Sequence, residues 1–105
     1  MEHLQFQFPG SSDRQQDKPA VLVGVVSSGN LEVLIEMAAL GGGSQIHVST
    51  KASGFAEIWE AVITDFATRH DLANLMISIN DGGSTPAVVS LRLDQAMQEF
   101  LGMPS

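Results

Sequence analysis

The sequence predicts a two-layer α+β domain, and three observations carry that expectation. Three segments between residues 20 and 50 place apolar side chains at every second position, the period of a strand with one buried face. From Phe55 to Phe66 the spacing switches to steps of three and four, which stacks side chains along one face of a helix. A further strand-like and a further helix-like segment follow. A mostly antiparallel four-stranded sheet covered by two helices, in the order βββαβα after a short N-terminal leader, buries all of these apolar faces at once.

The leader comes first. Leu4, Phe6 and Phe8 alternate with polar residues, as in a short strand or an extended arm, and the polar run from Pro9 to Pro19 reads as a loop. Residues 1–18 are therefore expected to be an extended leader and loop on a single domain spanning 1–105. Val21, Val23 and Val25 then share one face of a strand, and Leu31, Val33, Ile35 and Met37 share one face of the next. The link between them is too short for a crossover helix, so the two strands are expected to pair as an antiparallel hairpin. Gly29-Asn30 suits its turn, because both residues tolerate a positive φ.

Leu40-Gly41-Gly42-Gly43 reads as a flexible connection, and Ile46 and Val48 as a third, shorter strand. Phe55, Ile58, Trp59, Val62, Ile63 and Phe66 form the first helical stripe, with Ser53-Gly54 as its start and Arg69-His70-Asp71 marking its end. Leu75, Ile77 and Ile79 give the fourth strand, stopped by Asp81-Gly82-Gly83. Thr85-Pro86 supplies a capping hydroxyl followed by a residue that needs no donor. Val89, Leu93, Ala96, Met97 and Phe100 then share a helical face, and Gly102 ends it. VVSLRL is locally strand-like and also allows a strand leading into a shorter helix, but a single helix is expected.

Composition narrows the chemistry. With 44% hydrophobic and 16% charged residues, the 105-residue chain is too apolar to be disordered. It has no cysteine, so it forms no disulfide and no thiolate metal site, and any thiol chemistry must use a sulfur brought from elsewhere. A net charge of −7 argues against nucleic acid and anionic membrane as partners and favours a basic protein surface. MEHLQFQF lacks the basic start and apolar run of a signal peptide, and a cytoplasmic protein is expected.

Few residues stand out for chemistry. The serines, aspartates and three histidines include no Gly-x-Ser-x-Gly elbow, and His47 and His70 read as surface or capping residues. No catalytic residue and no metal ligand is assigned. LGGGS lacks the lysine of a phosphate-binding loop, and DGGST lacks the order of a dinucleotide site. DGGSTP does precede a helix N-terminus, where backbone donors can meet an anion. Ser27-Ser28-Gly29-Asn30 remains. It is either a turn or a serine presented to solvent on the tip of a hairpin.

Ser28-Gly29-Asn30-Leu31-Glu32-Val33-Leu34, preceded by Gly24-Val25-Val26, resembles the attachment segment of the malonate decarboxylase acyl carrier proteins, the delta subunits. That segment typically reads Val-Gly-Ser-Gly-Asp-(Leu/Met)-Glu-Val-Leu. Ile77 to Leu93, ISINDGGSTPAVVSLRL, is similar to a second family segment that runs through Asp-x-Gly-Ala-Thr-Pro to an Arg-(Leu/Ile) pair. The leader and the Trp59 helix fit the same outline, and the gamma subunit of citrate lyase shows a more distant likeness around the serine.

The resemblance implies a carrier without catalysis of its own. The prosthetic group, 2'-(5''-phosphoribosyl)-3'-dephospho-CoA, would join one serine through a phosphodiester, and its thiol would carry acetyl and malonyl as thioesters. The implied partners are the acyl transferase and decarboxylase subunits and the prosthetic-group transferase. Position by position the modified serine falls on Ser28. Ser27 stands where glycine is usual and Asn30 where aspartate is usual, a change that removes a charge but keeps the hydroxyl. Two other readings stay open at this point: a citrate-lyase-type carrier, and a small α+β interaction or regulatory module in which Ser28 is only a turn residue.

Overall fold

Alternation and helical spacing become five strands and two helices in the computed structural model, which describes residues 1–10, 20–24 and 30–102. The elements in chain order are β1 (Glu2–Phe8), β2 (Val21–Gly24), β3 (Leu31–Met37), β4 (Ser44–Thr50), α1 (Ala56–Arg69), β5 (Leu75–Asp81) and α2 (Pro86–Leu101). The architecture is α+β, with both helices packed on one face of a single sheet. The sheet has five strands rather than the expected four, in the order β1-β4-β5-β3-β2. The extra strand is the leader itself. Leu4 pairs opposite Val48 and Phe6 opposite Ile46, which continues the apolar face of β4 outward to the sheet edge.

Three of the four pairings are antiparallel, including the expected β2–β3 hairpin, in which Val23 faces Val33 and Gly24 faces Glu32. The exception is β4 with β5, which run parallel because α1 carries the chain back across the sheet between them. β5 thereby slots between β4 and β3 and becomes the central strand, and its Leu75, Ile77 and Ile79 are buried. The strand at Ile46 and Val48 is not short. It runs seven residues, matching β1 and β5 along their full lengths.

Buried side chains from Leu31, Val33, Ile35, Ile46 and Val48 form the floor of the core. Trp59, Ile63 and Phe66 from α1 and Val89, Leu93, Ala96, Met97 and Phe100 from α2 form its roof. The buried face of α2 is the one its sequence predicts. That of α1 is narrower, because Phe55 and Ile58 remain about half exposed. They line a small apolar cavity of about 190 Å³ with Trp59, Val62, Pro86 and Val89, between α1 and the start of α2.

The helix ends differ in how they are secured. Thr85 caps α2 by accepting the Val88 amide, Pro86 opens the helix, and Gly102 closes it at φ 71° with its amide bonded to the Glu99 carbonyl. α1 begins one residue beyond Phe55 with no side-chain cap, so Ser53-Gly54 is a bend before the helix rather than its cap. The glycine run after β3, expected to be flexible, is fastened by Asn74. Its Oδ1 accepts the amides of Leu40 (3.1 Å) and Gly42 (2.9 Å), while its own amide donates to the Gly43 carbonyl (2.8 Å).

Candidate functional site

The hairpin arms fix where residues 25–29 leave and rejoin the fold. Ser28, Ser27 and Gly29 lie outside the described residues, so the site is defined by its two posts, Gly24 and Asn30. Both posts are anchored. The Asn30 carbonyl accepts the Gly82 amide at 2.7 Å, which ties the hairpin to the turn after β5. The Asn30 side-chain oxygen accepts its neighbour Leu31's amide (3.0 Å) and Nη2 of Arg92 on α2 (3.1 Å). Gly24 has φ 92°, and a Cβ there would run into the Leu31 carbonyl and press on the Arg92 side chain. A side chain is therefore excluded by both backbone conformation and space.

Arg92 is the charged residue of this neighbourhood that the serine-centred reading did not single out. It is half-buried on α2 and reaches across to the hairpin, 62 positions away in sequence from Asn30. Its Nη1 donates to Gln95 Oε1 at 3.0 Å. Its Nε is buried and has no hydrogen-bond partner. Both partners are neutral amides, and among the described residues no carboxylate pairs with it. Arg69 is the contrast: it contacts Asp65 and Asp94, both at 2.9 Å, and these raise its pKa, Asp94 through a hydrogen bond being the larger cause. The available signal was the Arg-Leu pair that ends the second motif, whose spatial neighbour a linear reading does not reveal.

The other candidates are occupied by structural work. His70 is the C-terminal cap residue of α1, and its Nε2 lies 2.9 Å from Asp94 Oδ1. His47 sits on β4 with Nε2 3.4 Å from Gln45 Oε1. Donors in and just after the DGGSTP loop are already engaged: Gly82 on Asn30, Ser84 on Asp81 Oδ1 at 2.8 Å, and Val88 on the Thr85 hydroxyl. This leaves it a poor anion cradle, and its role is to brace the hairpin post.

With this geometry in view, comparison with known proteins is decisive. The family model for the malonate decarboxylase delta subunit (MdcD) matches residues 18–100, a span that contains the hairpin, the Asp81 turn and Arg92. The chain belongs to this family. A malonate decarboxylase acyl carrier protein of Stenotrophomonas maltophilia (strain R551-3) is 56% identical over 102 residues, covering 97% of this chain and 96% of the relative. The corresponding protein of Burkholderia cepacia is 59% identical over 99 residues, covering 94% and 90%. A chain from the crystal structure of a Pseudomonas malonate decarboxylase hetero-tetramer in complex with malonate superposes with a TM-score of 0.83 at 39% identity. It covers 95% of this chain and 99% of that one. The five-stranded sheet with two helices is thus a fold that this chain shares with a chain of that malonate decarboxylase structure.

Proposed function

We propose that this chain is the acyl carrier subunit of a cytoplasmic malonate decarboxylase and that Ser28 is the attachment point of phosphoribosyl-dephospho-CoA. The observation that carries the reading is the family match across nearly the whole chain, with Ser28 falling between two anchored posts. The partners of this reading are the transferase and decarboxylase subunits of the complex and the enzyme that loads the prosthetic group. No catalytic residue is assigned to this chain.

The residues present suit a phosphate-linked group. Arg92 offers a guanidinium that no carboxylate among the described residues pairs with, beside one post, with a buried donor in need of an acceptor. The absence of cysteine is consistent, since the group brings its own thiol, on which acyl groups are carried. What the chain itself contributes is a fixed base. Asn30 is held at its carbonyl by Gly82 and at its side chain by Arg92, so a group joined two residues away is tethered to a rigid edge. A tether of this kind raises the local concentration of its cargo at successive partner sites. Ser28 has no assigned base in this chain, so its activation falls to the loading enzyme.

The test is intact mass of the protein co-expressed with its cofactor-synthesis and transfer enzymes, followed by peptide fragmentation. A phosphoribosyl-dephospho-CoA adduct on Ser28, lost in Ser28→Ala with the circular dichroism spectrum unchanged, is the expected result. An unmodified mass, with a transferase shown to be active on a control carrier, returns Ser28 to being a turn residue. Which acyl group the loaded protein accepts from its partner subunits separates malonate chemistry from the citrate-lyase alternative, against which the family match already weighs.

A further inference from the structure

We propose that the sheet face opposite the helices, on its β2–β3–β5 side, is where this chain docks on another subunit of its assembly. The partner surface it fits is apolar at its centre and basic around it. The inference rests on the carrier reading above and adds to it which face meets the partner and what chemistry the partner presents.

Both helices pack on one face of the sheet, so no element among the described residues covers the other. Along β3 the burial alternates. Leu31, Val33 and Ile35 lie under the helices, and Glu32, Leu34 and Glu36 point the opposite way. The register sets Leu34 directly opposite Leu22 on β2, which is 58% exposed. It sets Met76 on β5 opposite Glu36, one diagonal step from Leu34. Three apolar side chains therefore adjoin on a face that an antiparallel sheet open to water keeps polar. On β1 and β4 the same face carries only glutamine, histidine and serine, so the apolar patch belongs to one half of the sheet.

Charge selects the occupant. Glu32 and Glu36 flank Leu34 on the same strand, about 13 Å apart at the rise of an extended chain. Among the described residues neither pairs with a basic group, and Glu32 accepts only from the neutral Asn80 amide at 3.2 Å. No strand places a lysine or arginine on this face. An apolar centre inside a charged rim is the anatomy of a protein–protein contact, and the sign of this rim calls for lysine or arginine opposite it. A second copy of the chain fits poorly, because a two-fold contact would set carboxylates against carboxylates on molecules of net charge −7. Nucleic acid and anionic lipid are repelled by the same rim. The neutral polar half of the face has neither the apolar area nor the charge to bind such a partner.

The experiment uses the whole assembly, with this chain co-expressed beside the other subunits of its decarboxylase and recovered through a tag on one of them. Wild type is compared with Glu32→Lys/Glu36→Lys and with a control pair on exposed α1 positions, Glu57→Lys/Glu60→Lys. Circular dichroism of each free chain confirms its fold. The β3 pair should lower retention about tenfold or more, while the α1 pair behaves as wild type. Wild-type retention should fall as salt rises from about 0.1 to 0.5 M. Carbodiimide treatment of the wild-type assembly should join Glu32 or Glu36 to a lysine of another subunit. Retention of the β3 pair equal to wild type, or cross-links confined to carboxylates of the helices, overturns the proposal and leaves the carrier reading standing. If the lysine pair fails to fold, Glu32→Gln/Glu36→Gln replaces it and should lose the salt dependence. A wild-type chain that no subunit retains overturns the carrier reading and this inference together.

Discussion

Thr50 donates its hydroxyl to Asp81 Oδ2 across 2.7 Å, and both residues are buried where the parallel strands β4 and β5 end. The same hydroxyl oxygen accepts the Ala52 amide, and the other Asp81 oxygen accepts the Ser84 amide. A carboxylate taken out of water in this way must have its lone pairs satisfied. Asp81 also faces Leu31, the first residue of β3, and the next residue, Gly82, holds the Asn30 carbonyl. The pair therefore supports the hairpin post as well as the sheet.

Thr50→Val tests that support. It keeps the side-chain shape while removing the donor to a buried carboxylate, and should lower stability by about 2 kcal/mol in urea unfolding with an unchanged slope. Asp81→Asn leaves one acceptor oxygen where Thr50 and Ser84 use two, so it should cost at least as much. Amide exchange at Gly82 should speed up more in Thr50→Val than exchange along β2, because Gly82 follows Asp81 directly whereas β2 pairs with β3 at the far edge of the sheet. Equal acceleration at both places would show that the pair serves the sheet as a whole rather than the post.

Asn74 is the one non-glycine residue with positive φ among those described, at 57°. Two requirements meet there: a left-handed backbone, and a side-chain oxygen that collects the Leu40 and Gly42 amides. Asn74→Gly satisfies the first and loses the second, whereas Asn74→Ala loses both. The expected order of stability is wild type, then glycine, then alanine, with glycine down by about 1–2 kcal/mol and alanine by roughly 1 kcal/mol more. Alanine more stable than glycine would mean that backbone entropy outweighs the strain of the turn.

What was legible in the sequence divides by range of interaction. α2 could be read almost residue by residue, because Thr85, Pro86 and Gly102 act within one turn of themselves and the apolar stripe repeats locally. The fifth strand was missed as a strand of the sheet because its partner β4 lies some forty residues along the chain, and alternation alone does not distinguish a paired edge from an arm. Parallel pairing of β4 with β5 was likewise hidden, being set by the path of α1 across the sheet. Phe55 and Ile58 carry the helical period, yet how much of that stripe is covered depends on where α2 lies. At the site, Ser28 was named from motif resemblance. Arg92 was quoted within a motif without a role, since only the fold brings it to Asn30.

Arg69 gives a pH prediction with a definite sign. Its pKa is raised, first by the hydrogen bond to Asp94 and then by that to Asp65. A raised pKa means that the stabilisation is complete at all pH values below the unfolded arginine's and is lost only as pH climbs through the still higher folded value. The difference in urea midpoint between wild type and Arg69→Gln should therefore be flat between roughly pH 8 and 10. Its size should be modest, about 0.5 kcal/mol, because the arginine and both carboxylates are substantially exposed to screening solvent. Raising the salt to about 0.5 M should shrink it further. A salt-independent loss of several times that size would point instead to packing of the arginine stem.

Asn30 offers the sharpest substitution, because its side-chain oxygen is the group that Arg92 Nη2 meets. Asn30→Asp places a carboxylate against Arg92 where there is now a neutral amide oxygen at 3.1 Å. A charge-assisted bond is stronger than a neutral one, so the unloaded protein should gain about 0.5–1 kcal/mol, and that gain should fall with added salt. The serine hydroxyl is untouched, so loading should still occur. If the unloaded variant gains nothing and shows no salt dependence, the guanidinium lies too far from position 30 in solution to pair with a carboxylate there, and the 3.1 Å bond to Asn30 is not what holds the hairpin post.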